Sequence, residues 1–281
     1  SLANQTDKRF KVYIGDDASL ENPTSLLEKY QSKFEFIYHR FETNLGSISL
    51  TKQWVRCIDL TADEEWIMVL GDDDRLGENV VEEFYKQYPL FEKKSNVVRF
   101  ATIVENEHNE AISNKFEHPV WEDATDSYYR RYTGKTRSSL SEYVFKRTAY
   151  LKCRFQHFPL GWHSDDYAWL EFSAEKPIFT INNSVVFIRI SDDSISGKTN
   201  NQLLKNQATI HFLRKMITKK LKFYNAEQQL KLLLDFEVFV KGNRKLYLNE
   251  WFIVIYSYIK LFKWILMVKV VRRFFISLFI K

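Results

Sequence analysis

The chain has 281 residues, 45% of them hydrophobic and 27% charged, and this composition excludes a disordered or repetitive protein. The net charge of +5 comes from the C-terminal end, where residues 241–281 contain nine Lys or Arg residues and one acid, Glu250. Residues 1–240 are therefore net negative, which argues against a nucleic-acid partner for the body of the protein.

Short apolar strands alternate with amphipathic helices over residues 9–105. Strands are predicted for RFKVYIGDD, FEFIYHR, EEWIMVLGDDD and NVVRFATIVE, and helices for NPTSLLEKYQ, LTKQWVRCIDL and GENVVEEFYKQYP. The last of these helices is predicted to stop at Pro89. The alternation predicts an α/β fold in which a mostly parallel sheet is flanked by helices on both faces.

The second half of the chain is more helical. Residues 107–138 are polar and aromatic and predict loops, whereas LSEYVFKRTAYLKCRF has a helical pattern. Ser164 is predicted to cap a helix with Asp165 and Asp166 in its first turn. PIFTINNSVVFIRI predicts one or two strands, and residues 201–240 predict two helices that begin a helical extension over residues 201–281.

Three consecutive aspartates, Asp72, Asp73 and Asp74, follow the apolar run WIMVLG. Adjacent carboxylates raise one another's pKa and destabilise the ionised set unless a positive charge lies among them. The alternative is that the acids stabilise the N-terminus of the following helix, but one acid would be enough for that. The presence of three favours a Mg²⁺ or Mn²⁺ site. The histidines and cysteines have no zinc-site spacing, which also favours oxygen ligands.

A second acidic pair, Asp16 and Asp17, ends another predicted strand. A turn is the alternative interpretation, because Asp often bonds the backbone of its own turn. Ligands of α/β sheets bind beyond the carboxyl ends of the strands, so both acidic clusters are expected to face one crevice. In that position the pair can hydrogen-bond the base or ribose of a nucleotide.

Asp165 and Asp166 lie between aromatic residues in GWHSDDYAW. Two acids at a helix N-terminus are the alternative, but the flanking rings favour a sugar site in which one acid is a general base. Arg189, with Ser194 and Ser196 in the loop after it, is either a diphosphate-binding group or a solvated strand end. The sequence leaves these two interpretations open.

The segments KVYIGDDAS, NLG, WIMVLGDDDRL, GWHSDDYAWLEF and VFIRISDDSIS form an ordered series of motifs. In their order and spacing the chain resembles the inverting glycosyltransferases of family two, of the type that assembles bacterial surface polysaccharide, over residues 1–200. The resemblance implies a GT-A fold with a Rossmann-like sheet. It also implies metal-dependent transfer of a hexosyl-type sugar from a nucleoside-diphosphate sugar to a saccharide acceptor.

The resemblance implies donor contacts at two places. Asp16 and Asp17 match the acidic pair that contacts the nucleoside of the donor. Arg189, Ser194 and Ser196 match a loop that closes over the diphosphate.

The resemblance also implies a metal site and a base. Asp72, Asp73 and Asp74 match the metal-binding D-x-D region, with Asp74 as the direct ligand and Asp73 near the ribose and metal. Asp165 and Asp166 match the E-D pair of the family, and Asp166 has the position of the catalytic base.

The sequence departs from the family in four respects, one of which is that the Arg-Asn usual in the helix after NLG is replaced near Thr51 and Lys52. The family's opening strand would precede residue 1, so the domain is expected to lack its first strand. Gly71 replaces the first Asp of the D-x-D-D form, and Asp165 replaces the Glu of the E-D pair. These departures affect the residue assignments more than the fold.

The C-terminal tail LYLNEWFIVIYSYIKLFKWILMVKVVRRFFISLFIK is apolar but repeatedly interrupted by basic residues. No uncharged run reaches the about 20 residues that a membrane-spanning helix needs. We therefore predict peripheral membrane contact through residues 245–281, with basic side chains near anionic lipid. Packing on the catalytic domain or on a second copy in a homodimer is the alternative.

This tail suits a lipid-linked acceptor. With no signal peptide visible, it predicts a cytoplasmic protein, peripheral on the inner face of the bacterial cell membrane. Two rival functions remain. A sugar nucleotidyltransferase would carry a glycine-rich activating loop, which is not visible, and a non-catalytic nucleotide-sugar binding module would not turn over its ligand.

Overall fold

A computed structural model of the chain describes residues 1–190, 197 and 200–279. The chain divides into two compact units, Ser1–Asn201 and Gln202–Lys281. The first unit contains the three predicted acidic clusters, and the second contains the basic apolar tail.

Helices and strands alternate in the first half of the first unit: β1 (Val12–Asp16), α1 (Thr24–Tyr30), β2 (Phe36–Arg40), α2 (Leu50–Ile58), β3 (Trp66–Met68), β4 (Arg75–Leu76), α3 (Val80–Phe91) and β5 (Val97–Glu105). The second half of this unit contains β6 (Trp121–Glu122), α4 (Ala124–Tyr132), β7 (Tyr143–Lys146), α5 (Arg147–Cys153), α6 (Ser164–Phe172) and β8 (Ile178–Arg189).

These strands form two sheets. β1 and β2 make a parallel pair, and a six-stranded sheet has the order β3-β7-β5-β8-β4, with β6 also paired to β8. β5 and β8, the longest strands, run parallel, whereas the shorter strands β3, β4, β6 and β7 pair antiparallel. The predicted α/β fold is confirmed, and the strand directions within it are mixed.

The six-stranded sheet separates two hydrophobic cores. Successive side chains of a strand point to opposite faces, and on β7 Phe145 lies in one core while Val144 lies in the other. β5 divides in the same way, with Val97 in the first core and Val98 in the second. Helices therefore cover both faces of this sheet, which leaves the loops at the strand ends available for a binding site.

Two sequence predictions about residues 107–146 are wrong. The segment expected to be loops contains β6 and α4, and the first part of the expected helix LSEYVFKRTAYLKCRF is β7. α4 is not predicted because it is largely polar, and its Arg131 pairs with an acid that is distant in sequence. β7 is a strand because it is hydrogen-bonded on both sides, to β3 and to β5.

Two helix boundaries also differ from their predictions. α3 continues through Pro89 to Phe91, because a proline in the last turn removes only one hydrogen bond and the fully buried Phe91 ring holds that turn in the core. Ser164 is the first residue of α6 rather than its cap. His163 has the cap position, and Ser164 Oγ accepts from the N–H of Phe158 at 3.4 Å.

The second unit is helical, with α7 (Gln202–Lys215), a π-helical turn (Met216–Lys220), α8 (Ala226–Asn243), α9 (Leu248–Lys260) and α10 (Trp264–Phe279). An ion pair joins the buried Glu237 on α8 to the partly exposed Arg273 on α10, with Oε1 and Nε 2.6 Å apart. Among residues 1–190, 197 and 200–279, no helix is both long and apolar enough to cross a membrane.

Candidate active site

The acidic turn after β3 brings two carboxylates close to one glycine. Asp74 N–H donates to the Gly71 carbonyl at 3.2 Å, and Gly71 N–H donates to Ser141 Oγ at 2.9 Å. A Cβ atom at Gly71 would lie 2.9 Å from Asp73 Oδ1 and 3.2 Å from Asp74 Oδ2, so a larger residue would require the Asp73 carboxylate to move. Asp72 is exposed at the corner of the turn, whereas Asp73 and Asp74 are half-buried.

Asp74 is fixed by the end of β8. Its Oδ1 accepts from the backbone N–H of Arg189 at 2.9 Å, and its carboxyl group is also hydrogen-bonded to Ser141. The Arg189 side chain reaches in another direction, where Nη2 donates to Asn109 Oδ1 at 2.9 Å. The structure thus brings Asp74 and Arg189 together, although through the Arg189 backbone.

The electrostatics of the turn favour a bound cation. Burial raises the pKa of Asp74 to about 6, and burial followed by the Asp72 charge raises the pKa of Asp73. Within the described parts of the chain, no three His, Cys, Asp or Glu side chains converge as a complete metal site. The oxygens of Asp73 and Asp74 that lie near Gly71 are nevertheless of the kind that Mg²⁺ or Mn²⁺ binds, and such an ion would need further oxygen ligands from water or phosphate.

Asp16, at the carboxyl end of β1, is held by the neighbouring strand β2. Its Oδ2 accepts from the Tyr38 hydroxyl at 2.6 Å and pairs with Arg40 at 2.9 Å, while Oδ1 accepts from the N–H of Ser19 at 2.8 Å. The Tyr38 hydrogen bond, with Ser19 and Arg40, lowers the pKa of Asp16. This carboxyl group is therefore ionised and oriented at the strand end.

Asp17 holds the turn of the NLG segment. Its two oxygens accept from the N–H groups of Leu45 and Gly46, each at 2.7 Å, and Oδ1 also pairs with Arg56 on α2. The pair of acids thus joins β1 to β2 and α2. Both carboxyl groups end β1, as the sequence predicts, and each has partners within the chain.

The two acids of α6 have different surroundings. The Asp166 side chain is 2% exposed, its Oδ1 pairs with Arg131 Nε at 3.0 Å, and its Oδ2 accepts from His163 Nδ1 at 2.9 Å. Burial alone would raise the pKa of Asp166, but Arg131 and His163 outweigh it and lower the pKa. Burial, followed by the Asp166 charge, raises the pKa of the half-buried Asp165.

Arg137 lies near both the acidic turn and Asp166. Its Nη1 bonds Glu142 Oε2 at 2.9 Å, and its charge opposes the increase in the pKa of Asp74. Arg137 also lines the same small cavity as Arg131 and Asp166. Arg137 is thus a cavity neighbour of the predicted base and is also close enough to Asp74 for its charge to affect that carboxyl group.

Three basic residues beside the acids are not indicated by the sequence motifs: Arg131, Arg137 and His163. His163 had a local signal, because it precedes Asp166 by three residues and side chains at that spacing meet. Arg131 had none, since its partner Asp166 is distant in sequence, and Arg137 lies in a segment that the sequence predicts as loops. Ser194 and Ser196, predicted at the diphosphate, lie outside the described residues.

Comparisons with known proteins agree on fold and family. The profile described as glycosyl transferase family 2 matches residues 1–154. The crystal structure of S. aureus TarS in complex with UDP-GlcNAc has 12% identity and a TM-score of 0.63 over 92% of this chain and 74% of that chain. TarS in complex with UDP gives 14% identity and 0.60 over the same shares. No curated protein matches the chain.

We expect Mn²⁺ binding to the isolated protein to weaken as the pH falls through about 6, where protonation of Asp74 begins to compete with the cation. A group with this pKa is about tenfold less ionised at pH 5 than at neutral pH. The apparent affinity, measured by electron paramagnetic resonance titration, should therefore decrease by about that factor.

Asp74→Asn should abolish this binding at both pH values, because it removes the ligand charge. Asp63→Asn is the matched control, since Asp63 is an exposed acid just before β3. Unchanged Mn²⁺ affinity in Asp74→Asn would contradict the assignment of the turn.

Proposed function

Since the chain belongs to glycosyl transferase family 2, we propose that it transfers a sugar from a nucleoside-diphosphate donor to an acceptor hydroxyl, with inversion at the anomeric carbon. The observation that carries the proposal is that Arg137, which lines the same cavity as Asp166, is also close enough to Asp74 for its charge to affect that carboxyl group. A metal-binding pair and an ionised carboxylate are the two groups that such a displacement requires.

The donor would lie across the strand ends. Asp16 and Asp17 would contact the nucleoside, while Arg189, Ser194 and Ser196 would contact the diphosphate. A nucleotide-sugar donor is supported by the TarS structures with UDP and UDP-GlcNAc, which have the same fold. Because Asp16 is ionised, its carboxylate can accept a hydrogen bond from an N–H or hydroxyl group of the nucleoside.

A Mg²⁺ or Mn²⁺ ion would be held at the acidic turn by Asp74, with Asp73 beside it and Asp72 at the exposed corner. When bound, the ion supplies positive charge that stabilises the leaving diphosphate. The hydrogen bond from the Arg189 backbone fixes the Asp74 carboxylate before the donor binds. Because the Asp74 side chain is already held in this orientation, less of its conformational entropy is lost when the ion and the sugar donor bind.

Asp166 would take the proton of the acceptor hydroxyl as that oxygen attacks the anomeric carbon. Each carboxylate oxygen has two lone pairs, so the bonds to Arg131 and His163 leave one on each oxygen. Arg131 holds the carboxylate ionised at neutral pH, which a base requires. Asp165, whose pKa is raised, lies next to it and would contact the acceptor or the sugar.

Asp166→Asn should lower turnover by about 10² to 10⁴, the usual contribution of a general base, while donor binding stays near that of the wild type.

The donor is first identified by screening UDP-, GDP- and dTDP-sugars for Mn²⁺-dependent transfer or hydrolysis. The product's anomeric configuration, read by proton NMR, then tests inversion. Asp123→Asn, an exposed acid at the start of α4, is the matched control.

The outcomes separate the rival functions. Retention of more than about a tenth of wild-type turnover in Asp166→Asn would remove the base assignment. Sugar-nucleotide synthesis from a nucleoside triphosphate and a sugar phosphate would identify a nucleotidyltransferase. Nucleotide-sugar binding without any turnover would identify a binding module.

We also propose a peripheral position at the inner face of the bacterial membrane, with a lipid-linked acceptor, and the surface of the second unit supports the membrane contact. Large apolar side chains are exposed on α9, α10 and the turn between them: Phe252, Tyr256, Phe262, Trp264, Ile265 and Val268. Exposed basic residues occur in the same stretch: Lys260, Lys263, Lys269 and Arg272. This combination of aromatic and basic side chains suits the headgroup region of an anionic bilayer.

We expect the protein to co-sediment with phosphatidylglycerol vesicles and not with phosphatidylcholine vesicles. A Lys269→Glu/Arg272→Glu variant should bind at least about 30-fold more weakly, because each basic group at an anionic surface contributes on the order of 1 kcal/mol. Lys29→Glu/Lys33→Glu makes the same charge change at exposed positions of the first unit and should bind like the wild type.

Equal vesicle binding by the two variants would contradict membrane contact through the tail. Loss of a dimer, rather than of vesicle binding, in the α10 variant would instead assign the exposed face to a second copy of the chain.

A further inference from the structure

We propose that Arg131 and His163 are positioning residues that clamp both oxygens of the Asp166 carboxylate in the orientation a general base needs. The inference rests on the proposed function, in which Asp166 is that base. Neither residue would contact the substrate in this role. Each would act through the carboxylate that it holds.

This clamp, the pair Arg131 and His163, contacts Asp166 from two separate elements. Arg131 is in the last turn of α4 and donates from Nε at 3.0 Å, whereas His163 precedes α6 and donates from Nδ1 at 2.9 Å. The two donors bind different oxygens, so rotation of the carboxylate breaks at least one bond. With its side chain 2% exposed, Asp166 has little contact with water that could replace either donor.

The backbone before α6 is arranged around this contact. Leu160 and His163 have positive φ values of 60° and 66°, a conformation that non-glycine residues rarely adopt. Gly161, with φ of 72°, lies between them. Such strain persists where surrounding contacts fix the conformation, and it is frequent at functional sites. Here the result is that the imidazole reaches back to Asp166.

The contacts of Asp166 differ from those of an ordinary acid at a helix N-terminus. Such an acid is stabilised by the backbone N–H groups and the helix dipole. Asp166 is instead bonded to two side chains, one of them a guanidinium brought from another helix. A purely helix-stabilising acid needs neither partner.

Charge balance gives the clamp a second effect. The titratable and charged groups around Asp166 are Arg131 and Tyr128 from α4, His163 and Asp165 beside it, Arg137, and Tyr143 from β7. Two adjacent carboxylates destabilise one another's ionised forms, and Arg131 faces both. Because Arg131 is bonded to Asp166, it keeps that member of the pair ionised, while the pKa of Asp165 is raised.

The direct test is the pH profile of kcat/KM in Arg131 variants. Arg131→Met removes the counter-charge, so the pKa of Asp166 rises and the acid limb of the profile should move to higher pH by about 1 to 3 units. Arg131→Lys keeps a positive charge and should restore the limb to near its wild-type position. The KM for the donor should change little in either variant.

A structural role for Arg131 would give a different result. If Arg131 only joins α4 to α6, Arg131→Met would lower the thermal midpoint and the amount of active protein but leave the acid limb in place. Arg130→Met is the matched control, because Arg130 is the neighbouring arginine of α4 and pairs with Glu122 instead. It should reduce stability without moving the limb.

His163→Phe keeps an aromatic ring beside Trp162 and removes the donor to Asp166. We expect kcat to fall by about tenfold or more with an unchanged donor KM, the effect of losing one hydrogen bond to a charged group. An unchanged kcat would remove His163 from the clamp.

A measurement without turnover separates this inference from the proposed function. The Asp166 carboxyl resonance of ¹³C-labelled protein, identified by its loss in Asp166→Asn, can be titrated in the wild type and in Arg131→Met. An upward pKa shift in the variant supports the clamp even if no nucleotide sugar is turned over, which would refute only the transferase. Identical titrations would overturn the clamp, whatever the activity.

Discussion

Negative charge after β1 and β3 and at the start of α6 is the constraint on which this structure depends. Three of the acids are each paired with an arginine: Asp16 with Arg40, Asp17 with Arg56, and Asp166 with Arg131. Among the residues the structure describes, Asp73 and Asp74 have no such ion pair, and their pKa values are raised. The chain thus supplies a counter-charge for each of these three acids, whereas the acidic turn remains suited to an external cation.

The features that could be predicted from the sequence are local. An apolar run followed by Asp72–Asp74 is visible without knowing any partner, and so is the second pair at Asp16 and Asp17. The alternation of strands and helices over residues 9–105 was sufficient for the α/β fold. The resemblance of the motif order to family two led to the expected function, and the match over residues 1–154 confirms the family.

The features that could not be predicted depend on contacts between distant residues. α4 is polar, and its Arg130 and Arg131 form ion pairs with Glu122 and Asp166. Hydrophobic periodicity, the main sequence signal for a helix, cannot indicate such pairs. β7 belongs to a segment with a helical pattern, but it pairs with β3 and β5, which are distant from it in sequence. Because α4 supplies Arg131, this missed helix also concealed the residue that controls the charge of the proposed base.

The central claim is that the acidic turn and Asp166 belong to one site on either side of a bound sugar nucleotide. A crystal structure of the protein with UDP and Mn²⁺ tests it most directly, because the anomalous signal locates the metal independently of the fitted side chains. The account predicts a Mn²⁺ peak on Asp74, bridged to the diphosphate, with Asp166 facing the end of the diphosphate where the sugar attaches. A metal and nucleotide bound away from residues 72–74, or a diphosphate directed away from Asp166, would contradict it.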